Sequence, residues 1–109
     1  MGVVPVGKLT DFKDGEGKGV WVDGREIAIF RFGSDVHAVS SICTHALADL
    51  SAGSVDRVRR TVECPLHGAE FDVQTGEALS PPAVLPLEVF EVQVVGDEVL
   101  VVLAGRQRG

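Results

Sequence analysis

The stretch Cys64-Pro65-Leu66-His67-Gly68, together with the shorter Cys43-Thr44-His45, is the most informative part of this chain. The two stretches contain both cysteines and two of the three histidines of the sequence. Each offers one thiolate and one imidazole, spaced C-x-H in the first stretch and C-x-x-H in the second. A [2Fe–2S] cluster with cysteine on one iron and histidine on the other needs this set of ligands, supplied by two loops.

The paired motif resembles that of the Rieske family, and the resemblance extends over most of the chain. The residues that carry it are Cys43, His45, Cys64, Pro65, His67 and Gly68. Within the family, the sequence is similar to the ferredoxin components of bacterial aromatic-ring-hydroxylating dioxygenases, such as that of biphenyl dioxygenase. The resemblance implies one Rieske-type [2Fe–2S] cluster per chain, with Cys43 and Cys64 on one iron and His45 and His67 on the other.

The fold that the resemblance implies is all-β. It is an antiparallel β sandwich, the Rieske fold, with a small cluster-binding subdomain inserted at about residues 41–71. The length of 109 residues leaves room for one domain, residues 1–109, and the 45% hydrophobic content suits a packed β-rich core. Pro81-Pro82 lies where the family has a loop packed over the cluster, and a simple connector is the alternative interpretation.

Short apolar runs separated by turn residues predict antiparallel hairpins. Asp23-Gly24 and Gly96-Asp97 are the strongest turn sequences, and Thr75-Gly76 marks another turn. The predicted strands are Val20–Val22, Ile27–Phe32, Val36–Ser40, Glu70–Asp72, Leu87–Val95 and Glu98–Leu103. A short helix is possible only at Ala46–Leu50.

Several single residues carry their own predictions. Trp21, between Val20 and Val22, is expected in the core as a strand aromatic. His37 lies on a predicted strand, so its role is structural or exposed and it is not assigned to the cluster. Gly68 lacks a Cβ and is expected to adopt a positive φ that lets the loop approach the cluster, and a plain turn glycine is the alternative.

Acidic residues near the motifs allow two interpretations. They are candidates for the rim of a docking face, or they are ordinary solvated charges. The residues concerned are Asp49, Glu70 and Asp72.

The ligand set also bears on the reduction potential. With two neutral imidazoles the oxidised cluster is neutral, so it accepts an electron more easily than an all-cysteine cluster. High-potential members of the family carry two further cysteines, a serine and a tyrosine, where this chain has Ala48, Leu66, Ala69 and Phe71. Without those hydroxyl donors we expect a midpoint potential of roughly −150 mV, at the low end of the Rieske range. Leu66 is expected on the docking face.

Composition excludes several classes of function. The net charge of −6 and the absence of a long basic run argue against a nucleic-acid partner. No signal peptide and no membrane span are evident, which predicts a cytoplasmic protein whose cysteines bind metal rather than form a disulfide. A zinc site is the alternative metal centre, but zinc modules pair their cysteines and histidines differently.

The predicted function is a soluble one-electron carrier, a monomer that is not itself an enzyme. Its partners would be an NADH-dependent flavoprotein ferredoxin reductase and the terminal oxygenase of an aromatic-ring-hydroxylating dioxygenase. The chain is not the oxygenase, because that enzyme also needs two histidines and a carboxylate for a mononuclear iron, and only His37 remains. The small Rieske-like subunit of an assimilatory nitrite reductase is the alternative function.

Overall fold

The computed structural model describes residues 2–41, 49–65, 68–80 and 86–103. Within these ranges the chain forms nine β-strands and two short 3₁₀ turns, Leu9–Asp11 and Leu50–Ala52. All pairs between the strands are antiparallel. The strands are β1 Val3–Lys8, β2 Gly17–Val22, β3 Arg25–Phe32, β4 Asp35–Ser40, β5 Ser54–Asp56, β6 Thr61–Glu63, β7 Glu70–Asp72, β8 Val89–Val95 and β9 Glu98–Val102.

The strands form two sheets. The larger sheet has the order β1-β9-β8-β4-β3-β2, and the smaller has the order β5-β6-β7. Although β4 and β8 are far apart in sequence, they are direct neighbours, and the amide of Ser40 donates a hydrogen bond to the Glu88 carbonyl at 2.9 Å. Residues 41–87 are therefore an insertion between two adjacent strands of the larger sheet. The all-β prediction is confirmed.

Strand β3 is buried on both faces and joins two apolar cores. Ile27 and Ile29 face a core that is closed by residues of the larger sheet, including Phe90. Ala28 and Phe30 face a second core that contains Leu50, Val62 and Phe71 of the insertion. The four consecutive residues 27–30 are fully buried. Burying each large apolar side chain contributes about 1.5–3 kcal/mol, so this shared strand holds the insertion on the sheet.

Two ion pairs also connect the insertion to the larger sheet. Arg57 pairs with Asp14 at 2.9 Å, and Arg60 pairs with Asp35 at 3.0 Å. The Arg60 guanidinium also lies 5.2 Å from the centre of the Phe32 ring. Exposed ion pairs contribute little because solvent screens them. The apolar core is therefore the main connection between the two sheets.

The hairpins predicted at Asp23-Gly24 and Gly96-Asp97 are confirmed, although β8 begins at Val89 rather than at Leu87. The helix predicted at Ala46–Leu50 falls largely on residues 46–48, which lie outside the described residues, and Leu50 begins a 3₁₀ turn. None of the helical segments in the described part of the chain is long and apolar enough to span a membrane.

The prediction that Trp21 lies in the core is wrong, because its side chain is 72% exposed. Its neighbours Val20 and Val22 both pack against the core of the larger sheet, which contains Phe90. Successive side chains of a strand point to opposite faces, so Trp21 points away from that core.

Candidate metal centre

Cys64 is the predicted ligand whose surroundings the structure describes. It follows the last residue of β6 and is 1% exposed. It belongs to the same apolar core as Leu50 and Phe71. A thiolate at such a position loses most of its hydration, so it needs a positively charged partner such as a metal ion.

The backbone after Cys64 folds into a tight turn. The Cys64 amide donates to the Ala69 carbonyl at 2.7 Å, and the Gly68 amide donates to the Cys64 carbonyl at 3.0 Å. Gly68 has a φ of 75°, as the sequence predicted, and this conformation is strained for residues with a Cβ. Leu66 and His67 lie outside the described residues, between these two closing hydrogen bonds.

The segment that contains Cys43 and His45 also lies outside the described residues, but both of its ends are placed. Ser41 is fully buried, and its hydroxyl donates to Asp49 Oδ1 at 2.6 Å. The Leu50 amide donates to the Ser41 carbonyl at 2.7 Å. The described residues on the two sides of 42–48 are therefore hydrogen-bonded to each other.

Asp49 provides the side-chain contact between the two sides of this segment. The same Oδ1 atom accepts hydrogen bonds from the Ser51 amide at 3.0 Å and from the Ser51 hydroxyl at 2.6 Å. Partial burial raises the pKa of Asp49, but the hydrogen bonds from Ser41 and Ser51 outweigh it, and the pKa is lowered. Asp49 is therefore ionised at neutral pH and binds both Ser41 and Ser51, which lie on the two sides of residues 42–48.

A third segment starts beside the same turn. The Glu70 amide donates to the Ser80 hydroxyl at 3.0 Å, and the Leu79 amide donates to the Glu70 carbonyl at 2.7 Å. Pro81-Pro82, the predicted lid, follows Ser80 and lies outside the described residues. The structure thus brings together the anchors of all three segments that the sequence connected with the cluster.

The acidic residues near the motifs have internal partners. Glu70 pairs with Arg59 at 3.0 Å and accepts from the Thr61 hydroxyl at 2.9 Å. Asp72 accepts from the amides of Gln74 and Thr75. Together with Asp49 they shape turns and hold strands, a role that sequence reasoning missed because it depends on partners brought close by the fold.

The residues at the family's serine and tyrosine positions are Ala69 and Phe71. Both are fully buried in the core that contains Cys64. Neither side chain has a hydroxyl group. These two positions therefore present only apolar surface to the neighbourhood of Cys64.

His37 lies on β4, away from the turn at Cys64. Its ring packs against Phe32 with 6.0 Å between the ring centroids, and its Nε2 atom is buried without a hydrogen-bond partner among the described residues. Burial and the Arg60 charge lower its pKa, while Asp35 and Asp72 oppose this shift. The structural role predicted for His37 agrees with this packing.

The lowered pKa of His37 predicts a pH dependence of stability. The neutral ring is favoured in the folded protein, so stability is complete above the ordinary pKa of about 6.5 and falls as the pH decreases toward the folded value. We expect the temperature of half-unfolding to fall less steeply between about pH 7.5 and pH 5.5 in His37→Leu than in wild type. Equal slopes for the two proteins would contradict this assignment.

A second prediction concerns Asp49. Asp49→Ala leaves the buried Ser41 hydroxyl without its acceptor and removes the cap of the 3₁₀ turn, which should cost about 2 kcal/mol. We also expect faster loss of visible absorbance on storage, because the ends of residues 42–48 separate. Asp11→Ala, which removes a single exposed hydrogen bond to the Lys8 amide, is the control and should change both quantities little.

The sequence matches the family model described as the Rieske [2Fe-2S] domain over residues 2–91. The chain belongs to the Rieske [2Fe–2S] family. The cofactor of this Rieske domain is a Rieske-type [2Fe–2S] cluster, and the described surroundings fit it. They supply a buried thiol, a turn closed by a glycine with positive φ, and three anchored segments around them.

Two similar proteins are ferredoxin components of dioxygenase systems. The naphthalene 1,2-dioxygenase ferredoxin component of Pseudomonas aeruginosa is 34% identical over 96 residues, covering 88% of this chain and 90% of the relative. The carbazole 1,9a-dioxygenase ferredoxin of Nocardioides aromaticivorans IC177 superposes with a TM-score of 0.90 at 40% identity, covering 93% and 97% of the two chains.

Two further solved structures bear on the choice of partner. One is a complex of reduced oxygenase and oxidised ferredoxin in carbazole 1,9a-dioxygenase, with 38% identity, a TM-score of 0.84 and 92% of each chain covered. The other is the small subunit of a presumed NADH-dependent nitrite reductase from Mycobacterium tuberculosis, with 27% identity, a TM-score of 0.83, and 94% and 96% covered. The sequence is thus more similar to the carbazole dioxygenase ferredoxin than to the nitrite reductase subunit.

Proposed function

We propose that this Rieske domain carries single electrons from an NADH-dependent flavoprotein reductase to the terminal oxygenase of an aromatic-ring-hydroxylating dioxygenase system. The observation that carries the proposal is the match, over nearly the whole of both chains, to ferredoxin components of such systems. The proposal includes a monomeric carrier in the cytoplasm, where a reducing environment keeps Cys43 and Cys64 available as ligands.

The proposed ligands are Cys43, His45, Cys64 and His67, held within a cluster-binding subdomain at about residues 41–71. When bound, the [2Fe–2S] group supplies a one-electron couple. The chain's own contribution is to bury the Cys64 thiolate, to hold the ends of residues 42–48 through Asp49, and to keep the turn after Cys64 closed.

A carrier needs no substrate pocket, and the packing of His37 agrees with this role. A mononuclear iron site needs two histidines and a carboxylate. His37, the histidine left after the proposed ligands, packs its ring against Phe32 and buries its Nε2 atom. It is therefore not available as a metal ligand in this conformation, and the chain serves an oxygenase without being one.

The apolar side chains of Ala69 and Phe71 predict a low reduction potential that a single hydroxyl should raise. A hydrogen bond to a charged group contributes about 1.5–3 kcal/mol, and for one electron about 1.4 kcal/mol corresponds to 59 mV. We expect Ala69→Ser to raise the midpoint potential by roughly 60 mV. The measurement is an anaerobic spectroelectrochemical titration.

The control for this prediction is Ala28→Ser. Ala28 is fully buried in the same core, but it lies on β3 rather than in the turn after Cys64. The Ala28→Ser variant introduces the same hydroxyl at a similar cost in stability. Its midpoint potential should therefore equal that of wild type. An equal rise in both variants would attribute the effect to general polarity and contradict the assignment of residue 69.

Rapid mixing tests the function directly. The protein is reduced and mixed with the terminal oxygenases of the carbazole, naphthalene and phenylpropionate systems, and oxidation of the protein is followed by visible absorbance. Oxidation by at least one of the three oxygenases within the turnover time of that system supports the proposal. Failure with all three, together with copurification with a large nitrite reductase subunit, would replace it by the alternative.

A further inference from the structure

Trp21 is the single tryptophan of the chain and is 72% exposed. It lies on β2, at the edge of the larger sheet. Gly17 and Gly19 share its face of the strand, and both are covered by Ser51 of the insertion. Trp21 is the next residue on this face, and it extends past the part that the insertion covers.

The position of Trp21 is continuous with the base of the first ligand segment. Trp21 is paired with Glu26 across the hairpin. The Glu26 carbonyl accepts a hydrogen bond from the Ser41 amide at 3.2 Å, and Ser41 is the residue from which the segment with Cys43 and His45 departs. The exposed indole therefore lies at the end of the sheet that carries the metal centre.

The surface around the indole is concave and acidic. A cavity of about 360 Å³ is lined by Trp21, Gly24, Arg25, Glu26, Ser40 and Glu88. Arg25 is neutralised by Glu88 at 2.9 Å. Neither Asp23 nor Glu26 takes part in the ion pairs found among the described residues, so the surface has a net negative charge.

We propose that this surface, called the tryptophan rim and consisting of Trp21, Asp23, Arg25, Glu26 and Glu88, docks the terminal oxygenase. The partner surface would offer an apolar pocket for the indole and basic side chains opposite Asp23 and Glu26. The inference rests on the proposed function. It is supported by the charge of the rim and by its continuity with the ligand segment, and tryptophan is enriched among residues that dominate binding energy.

The test uses the holoprotein and the oxygenases of the carbazole, naphthalene and phenylpropionate systems as probes. Wild type labelled with 5-fluorotryptophan has one fluorine resonance, which should shift when a binding oxygenase is added. Trp21→Ala should weaken the Kd for that oxygenase about tenfold, and Glu26→Gln should reduce the salt dependence of binding. The rate of reduction by the reductase should not change in either variant.

Val58→Ala is the matched control, because Val58 is also an exposed apolar residue, at 93%, in the turn at the end of the small sheet opposite Cys64. Its Kd should equal that of wild type. If wild type binds none of the oxygenases, the proposed function fails and the docking surface with it. If wild type binds and Trp21→Ala binds equally well, or loses affinity only for the reductase, the tryptophan rim is not the oxygenase site.

Discussion

Cys64→Ala is expected to yield a colourless protein that retains almost no iron or acid-labile sulfide. The replaced side chain is 1% exposed and points into the apolar core that joins the insertion to the larger sheet. The substitution removes one of the four proposed ligands, and alanine has no atom that can bind iron in its place. Iron, sulfide and visible absorbance are measured on freshly purified protein.

His37→Leu is the control for this experiment, because His37 is the histidine that is not assigned to the cluster. It should keep the wild-type content of iron and sulfide. Circular dichroism should show that Cys64→Ala retains the larger sheet, whose own core contains Phe12, Phe90 and Val101. Wild-type iron and sulfide in Cys64→Ala would remove this residue from the ligand set.

The second large effect is expected at Gly53, which precedes β5. A Cβ at this position would lie 2.3 Å from the Glu63 carbonyl oxygen and 2.9 Å from Val62 Cγ2. The carbonyl belongs to backbone that β6 contributes to the small sheet, immediately before Cys64, so it has little freedom to move. Gly53→Ala should cost about 3 kcal/mol, lower the temperature of half-unfolding by roughly 15 °C and release the cluster.

Gly96→Ala separates the steric effect from the general effect of replacing glycine. A Cβ at Gly96 meets nothing within 4 Å, but its φ of 63° is unfavourable for alanine. We therefore expect a cost of about 1 kcal/mol and no loss of iron. Equal destabilisation by the two variants would show that close packing at Gly53 is not the cause.

The hairpins were predictable because their turns are local. Asp23-Gly24 and Gly96-Asp97 determine their own geometry, and the flanking apolar runs supply the strands. Strand β1 was not predicted because it contains Pro5, near which its pairing with β9 shifts register. The short strands β5 and β6 are visible only through their partners in the small sheet.

The strand that contains Trp21 was predicted correctly, but the burial of Trp21 was not. Val20 and Val22 both face the first core, and the alternation of strand side chains then requires the residue between them to face outward. At this position the alternation of the strand outweighs the general preference of aromatic residues for protein interiors. The exposure of Trp21 is compatible with the docking role proposed for the tryptophan rim, because tryptophan is enriched among residues that dominate binding energy.

The metal centre was only partly predictable. The ligand types and the positive φ of Gly68 follow from local chemistry, and the latter is confirmed. The closure of residues 42–48 by Ser41 and Asp49 depends on two side chains brought together by the fold, and no local pattern marks it. Cys43, His45 and His67 stay predictions, since the described residues include only Cys64 of the four.

Because β4 pairs directly with β8, the residues that set the reduction potential and those of the tryptophan rim lie in different parts of the sequence. All of the proposed ligands, together with Ala69 and Phe71, belong to the insertion at residues 41–87, whereas Trp21, Arg25 and Glu88 belong to the sheet around it. Mutations in the insertion are therefore able to tune the driving force for electron transfer while those in the sheet tune the choice of partner. In such a layout, a chimaera that exchanges residues 41–87 would transfer the reduction potential, and with it the predicted docking residue Leu66, but it would leave the tryptophan rim unchanged.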